Sequence, residues 1–265
     1  MRVGEFFETP HDGRPDFVIS ITAYLDETNQ TSGSEHVVVA GFYGDCDQWN
    51  NFPSLWREGL GKKSRLHMND LRWAGKHAIR RTRDLIAKLG SIPHKAKLRP
   101  IFGAVKVSDY SDLVATEPKH DGRVIINGYV LCLSLVMSRL ALTLPPDAAV
   151  KIVCERQDTY ALLANMLFGD ASKRYARNPQ HPYFKSIEFI EKGGSVAIEP
   201  ADFLAFAVGK YLDENGSRKD QWCRPIFGGI EPKKFGYVYE GSKARESVLR
   251  IQRNTRLAYK SGIFI

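Results

Sequence analysis

The segment VIINGYVLCLSLVMSRLALTL, residues 124–144, constrains this chain more than any other stretch. A run this apolar either spans a membrane or is buried on nearly every side. It is free of charge only from Val124 to Ser138, and Arg139 then interrupts it. A bilayer core needs roughly 20 predominantly apolar residues, so the run falls short of a clean span. It predicts a buried core helix from Val124 to Leu144, ended by Pro145 and Pro146.

Strands are legible on both sides of that helix. DFVISITAYLD alternates, with Phe17, Ile19, Ile21, Ala23 and Leu25 on one face and Val18, Ser20, Thr22, Tyr24 and Asp26 on the other. Asp26 therefore points to the more polar face, and Glu27 begins the turn. NQTSGS is turn chemistry and HVVVAGFYG a second strand, which predicts an antiparallel hairpin. AKLRPIFGAVKV reads as a third strand with a bulge near Pro100 and Gly103, AAVKIVCE as a fourth ending at Glu155, and FKSIEFIEK as a fifth.

The remaining periodic segments are helical. DCDQWNNFPSLWREGL places Trp49, Phe52 and Trp56 on one face behind a cap at Asp45 or Asp47. GKHAIRRTRDLIAKLG is basic and amphipathic, closed by Gly90. DTYALLANMLFGDASKRY starts at Asp158 or Thr159, and EPADFLAFAVGKYL has Pro200 at its first position. SKARESVLRIQRNTRL is a last basic helix, and residues 213–241 read as irregular. This order predicts the α/β class. The expected architecture is a mixed sheet of about five strands with helices on both faces, a helical insert after strand two and a C-terminal helical tail. One domain over residues 1–265 is expected, its core at about 15–212 and an extension at 213–265.

Composition narrows the functional classes. Hydrophobic residues make up 43% and charged residues 26% of 265, ordinary for a globular chain. Cys46, Cys132, Cys154 and Cys223 are far apart, without metal-knuckle spacing, as isolated thiols of a reducing compartment would be. MRVGEFFETPHDG lacks the apolar region of a secretory leader, so a soluble cytoplasmic protein is expected. The net charge of +8 is segregated. Residues 57–99 hold thirteen Lys and Arg against three acids, whereas residues 1–56 hold nine acids against two basic residues. An acidic N-terminal part beside a basic segment suits a site that holds metal and receives a polyanion, although solvated mixed-charge faces can segregate without function.

Three acids occupy comparable places. Asp26 ends strand one, Glu155 ends strand four, and Asp202 lies in the first turn of the helix after strand five. If strands one and four are neighbours, these acids meet at one edge, where clustered carboxylates must take up protons or bind cations. Oxygen-only ligands favour Mg²⁺ or Mn²⁺. Each acid also has an ordinary explanation: Asp26 bonding its own turn, Glu155 pairing with Arg156, Asp202 favouring its helix dipole.

The element order and these acids resemble the RNase H-like fold. The local sequences YLDETN, WNNFPSLW, LHMND, KIVCE and IEPADFLAF resemble the domain of unknown function 3800 family over roughly residues 17–212. The chain departs from that pattern where Thr28 and Asn29 replace Ser-Gly, Glu155 replaces Asp and Glu199 replaces Gln. The resemblance implies a metal-dependent nuclease using two-metal hydrolysis with Mg²⁺ or Mn²⁺. Asp26, Glu155 and Asp202 would be ligands and catalytic residues, with Glu27 and Glu199 auxiliary. It also draws attention to His67, as base, added ligand or phosphate contact, and to Asp70; otherwise Asn69 or Asp70 caps the next helix and His67 is a surface residue. Lys62, Lys63, Arg65, Arg80, Arg81 and Arg83 are candidate contacts to DNA or RNA phosphates. The competing expectations are a non-catalytic nucleic-acid- or protein-binding module and a phosphorylated small-molecule substrate. No G-x-S-x-G, P-loop or G-x-G-x-x-G motif occurs, and Cys154 reads as a buried, inert thiol rather than a nucleophile.

Overall fold

The computed structural model describes residues 19–28, 34–68, 71, 76–109, 119–120, 123–124, 128–156, 158–213, 225–228, 234–239, 241 and 246. The strands are β1 (Ile19–Glu27), β2 (His36–Asp45), β3 (Arg99–Lys106), β4 (Lys119–His120), β5 (Arg123–Val124), β6 (Ala148–Glu155), β7 (Tyr183–Ile190) and β8 (Gly236–Tyr239). The helices are α1 (Cys46–Leu60), α2 (Lys76–Gly90), α3 (Ile92–Lys95), α4 (Gly128–Thr143), α5 (Asp158–Ala176) and α6 (Glu199–Asp213).

A six-stranded sheet runs in the order β7-β6-β1-β2-β3-β8, and β4 and β5 form a separate two-stranded pair. β1, β2 and β3 are antiparallel neighbours, whereas β6 is parallel to β1, β7 to β6 and β8 to β3. The chain is thus α/β with a mixed sheet. Alternation assigns its two faces. Ile21, Ala23 and Leu25 enter one core with Val150, Ile152 and Cys154 from β6 and the apolar sides of α4 and α5. Tyr24, Val38, Ala40 and Phe42 face a second core built from α1, α2 and α6.

The apolar helix is buried as expected, but it starts later. Val124 belongs to β5, paired with Lys119, and α4 begins at Gly128. Among the described residues no helix is long and apolar enough to cross a membrane. α1 is capped by Asp45, whose carboxylate accepts from the Gln48 amide while the Gln48 side chain accepts from the Asp45 amide. Trp49, Phe52 and Trp56 are buried along it.

Four expectations need correction. β1 runs through Glu27, which pairs with Val39, so Glu27 is a strand residue and not the start of the turn. β3 pairs with β2 in unbroken register, so no bulge forms at Pro100 or Gly103. Gly103 serves a different need: a Cβ there would collide with the Cys132 carbonyl oxygen of α4. α6 begins at Glu199, so Pro200 is its second residue and not its first. α2 does end at Gly90, as expected, where a Cβ would lie 2.8 Å from the Ile226 amide nitrogen. Lastly, residues 213–241 are not merely irregular. β8 extends the sheet, and Ile226, Phe227 and Phe235 belong to the second core, so the core extends past residue 212. The predicted basic helix beyond them lies outside the described residues, apart from Glu246.

The close approach of α4 to β3 makes Gly103→Ala a sensitive probe. Overpacking costs typically about 1–3 kcal/mol, so this variant should lose about that much unfolding free energy, read as a lower urea midpoint at an unchanged m-value.

Candidate functional site

The parallel pairing of β1 and β6 builds the site. Leu25 pairs with Cys154, and both are buried in the α4 side of the sheet. Because side chains alternate, the next residue on each strand, Asp26 and Glu155, faces the opposite side. The two carboxylates therefore stand next to each other on adjacent strands, which lie about 4.8 Å apart in any sheet. α6 covers that face. Its first turn carries Glu199 and Asp202.

The loop after α1 is bound to this turn by the two helix acids. Glu199 Oε2 accepts from the Trp56 indole nitrogen at 2.8 Å and from the Leu66 amide at 2.8 Å. Asp202 Oδ2 accepts from the Met68 amide at 2.9 Å, and His67 Nδ1 lies 3.5 Å from the same oxygen. Leu66 and Met68 are buried, while Lys62, Lys63 and Arg65 on the same loop are exposed. The loop thus offers its cations to solvent while its backbone amides hold the acids.

Electrostatics mark the same cluster. Asp26 is only 7% exposed. Burial, followed by the charges of Glu27, Asp202 and Glu155, holds its carboxyl well above the usual range, against a 2.9 Å bond accepted from the Glu27 amide. Burial also raises Glu155, opposed by Lys192 and His67 and assisted by Asp202. Burial raises Glu199 too, offset by the Trp56 and Leu66 bonds and by Arg65. These four carboxyls and His67 form one interacting group. Among the described residues, however, no three His, Cys, Asp or Glu side chains are gathered into a ready-made cation cage.

The structure thus brings together Asp26, Glu155, Asp202, Glu199 and His67. Glu27 lies on the other face, where its charge acts on Tyr129 and Cys154. Asp26 accepts from the following amide, but that amide belongs to Glu27 of β1, so the bond lies within the strand and not in a turn. Arg156 does not neutralise Glu155 through a direct pair, because its guanidinium is 2.7 Å from Glu191. Arg80, Arg81 and Arg83 are exposed on α2, which packs on α1 and α3. Asp70 lies outside the described residues, as does Cys223. Burial pushes the Cys154 thiol up to about 12, which keeps it protonated and non-nucleophilic at neutral pH.

Two participants escape a reading of the sequence. Trp56 looks like a plain core residue until its indole is seen on Glu199. Lys192 reads as the last residue of the fifth strand, FKSIEFIEK, but β7 ends at Ile190 and Lys192 lies in the turn after it, before Gly193 with its left-handed φ of 75°. A pocket of about 520 Å³, lined by residues including Asp45, Gln48, Lys95 and Lys97, opens at the far end of the sheet, where Asp45 pairs with Ile21. It shares no residue with the acid cluster.

Comparison with protein-family models, with characterised proteins and with solved structures gave no match.

Two stability measurements test this arrangement. Trp56→Phe removes a donor from a buried carboxylate, a loss that costs about 1–3 kcal/mol, visible as a lower urea midpoint. Asp26→Asn should act the other way in metal-free buffer. A carboxyl raised by burial destabilises the fold fully above its folded pKa and not at all below its unfolded pKa, near 3.9 for Asp. Asp26→Asn should therefore melt higher than the parent at neutral pH, with the gap closing as the pH falls towards 4.

Proposed function

We propose that this chain is a metal-dependent phosphodiesterase acting on nucleic acid, with an RNase H-like fold of the kind expected in the domain of unknown function 3800 family. One observation carries the reading. Asp26 and Glu155 share a face at the ends of two neighbouring parallel strands, and Asp202 on the covering helix acts on both. The antiparallel β1-β2-β3 meander followed by a strand parallel to β1 supports the fold assignment.

The donor set suits a hard divalent cation, since it is all carboxylate oxygen and its charges repel one another. Asp26, Glu155 and Asp202 are the residues that would hold Mg²⁺ or Mn²⁺. Such an ion supplies Lewis acidity towards a phosphoryl oxygen and a more acidic water. The chain's own residues do the rest. Met68 and the Glu27 amide orient one oxygen each of Asp202 and Asp26. His67, beside Asp202, is placed to carry a proton or meet a phosphate oxygen. Glu199 serves as the anchor of the basic loop, because its Oε2 already accepts two hydrogen bonds. Lys62, Lys63 and Arg65 then face the polyanion.

The first test is thermal unfolding with Mg²⁺ or Mn²⁺. A ligand at a hundred times its Kd adds about 2.7 kcal/mol, or about 5–10 °C in a domain of this size. Asp26→Ala should abolish the shift. Cleavage of labelled single-stranded and duplex DNA, RNA and hybrid should require the same ion and be lost in Asp202→Asn. The absence of both a cation-dependent shift and cleavage would refute the enzyme; ion-independent binding without cleavage would make the chain a binding module.

A further inference from the structure

We propose that Arg65 and Lys192 form a two-loop clamp for a substrate phosphate beside the acid cluster, a role that deepens the nuclease reading and rests on it. The two cations come from loops far apart in the chain, and the fold brings those loops together. A methyl group added at Gly193 would lie 3.9 Å from the Arg65 guanidinium Nη1. Arg65 thus reaches across to the turn that carries Lys192.

Both loops are secured at the carboxylate edge. The Leu66 and Met68 amides tie the first loop to Glu199 and Asp202. The second is held through Glu191, whose side chain pairs with Arg156 at 2.7 Å and whose carbonyl accepts from the Gly194 amide at 2.7 Å. The Arg156 amide in turn donates to Ile190, at the end of β7. Lys192 follows Glu191 directly and precedes a left-handed glycine, so its side chain leaves a tight, fixed turn.

The two cations act on different acids of the cluster. The Arg65 charge acts on Glu199 and the Lys192 charge on Glu155. Yet Lys192 is exposed and, among the described residues, makes no ion pair or hydrogen bond. A lysine near a carboxylate but not bonded to it keeps its donors for a ligand. Arg65 offers a planar fork and Lys192 a point charge, a combination suited to a phosphodiester whose two non-bridging oxygens face different loops. The class of ligand is the sugar–phosphate backbone itself, without base recognition, because both groups read charge.

The test is a salt titration of binding to a labelled short oligonucleotide, followed by fluorescence anisotropy in EDTA. Lys192→Gln and Arg65→Gln should each weaken binding several-fold and reduce the slope of log K against log salt by about one, and the double variant by about two. Lys192→Arg should restore both quantities. Lys173→Gln, an exposed charge lost from α5 on the other face of the sheet, should leave the slope unchanged. In Mg²⁺, Lys192→Gln should raise KM several-fold with little change in kcat, as expected when a positioning contact is lost. Parental binding, slope and KM in Lys192→Gln, in a protein that still cleaves, would overturn the clamp and leave the nuclease reading standing. A parent protein that neither binds nor cleaves would remove both.

Discussion

The register between β1 and β6 is the constraint on which the candidate site depends. Leu25 and Cys154 are paired and buried together. That single pairing sends the following acids to the same opposite face. A slip of one residue in either strand would move its whole apolar set out of the core, so the hydrophobic effect holds the carboxylates together against their repulsion. Asp26 shows the result: it is nearly excluded from solvent and surrounded by three other acids, so its charged form is disfavoured. Strain of this kind is expected where a site is built for an ion or proton rather than for stability.

Around that pair, α6 and the loop after α1 act as one unit. Glu199 links three elements through one oxygen, because Trp56 belongs to α1, Leu66 to the loop and Glu199 to α6. Buried polar groups need partners, and here the partners of the acids are the loop's own amides. The same bonds that satisfy the acids hold Arg65 and His67 beside them. Polar satisfaction of the acids and placement of the basic loop are therefore served by one set of contacts.

Much of the fold was legible because its signals are local. The alternation along β1, a helix cap at Asp45 or Asp47 and the proline stop after α4 each depend on neighbours in sequence. Other features failed for a common reason. β8 is too short for periodicity to mark it, and it exists because β3 offers an open edge. Gly103 resembles a bulge in sequence. It is a glycine because Cys132, remote in the chain, comes too close for a side chain. Glu27 reads as a turn residue because its pairing with Val39 cannot be seen from β1 alone.

The sequence by itself determined which residues alternate, that prolines stop α4 and that Asp26, Glu155 and Asp202 each sit near the end or start of an element. Those properties follow from side-chain period and capping, which act over a few residues. Tertiary structure decided the rest: which acids share a face, that Glu199 anchors a loop and that the Arg65 guanidinium lies near the turn at Gly193. Each of these is a distance between segments separated by tens to more than a hundred residues. Only burial of the two apolar cores on opposite sides of the sheet brings such segments to a common edge.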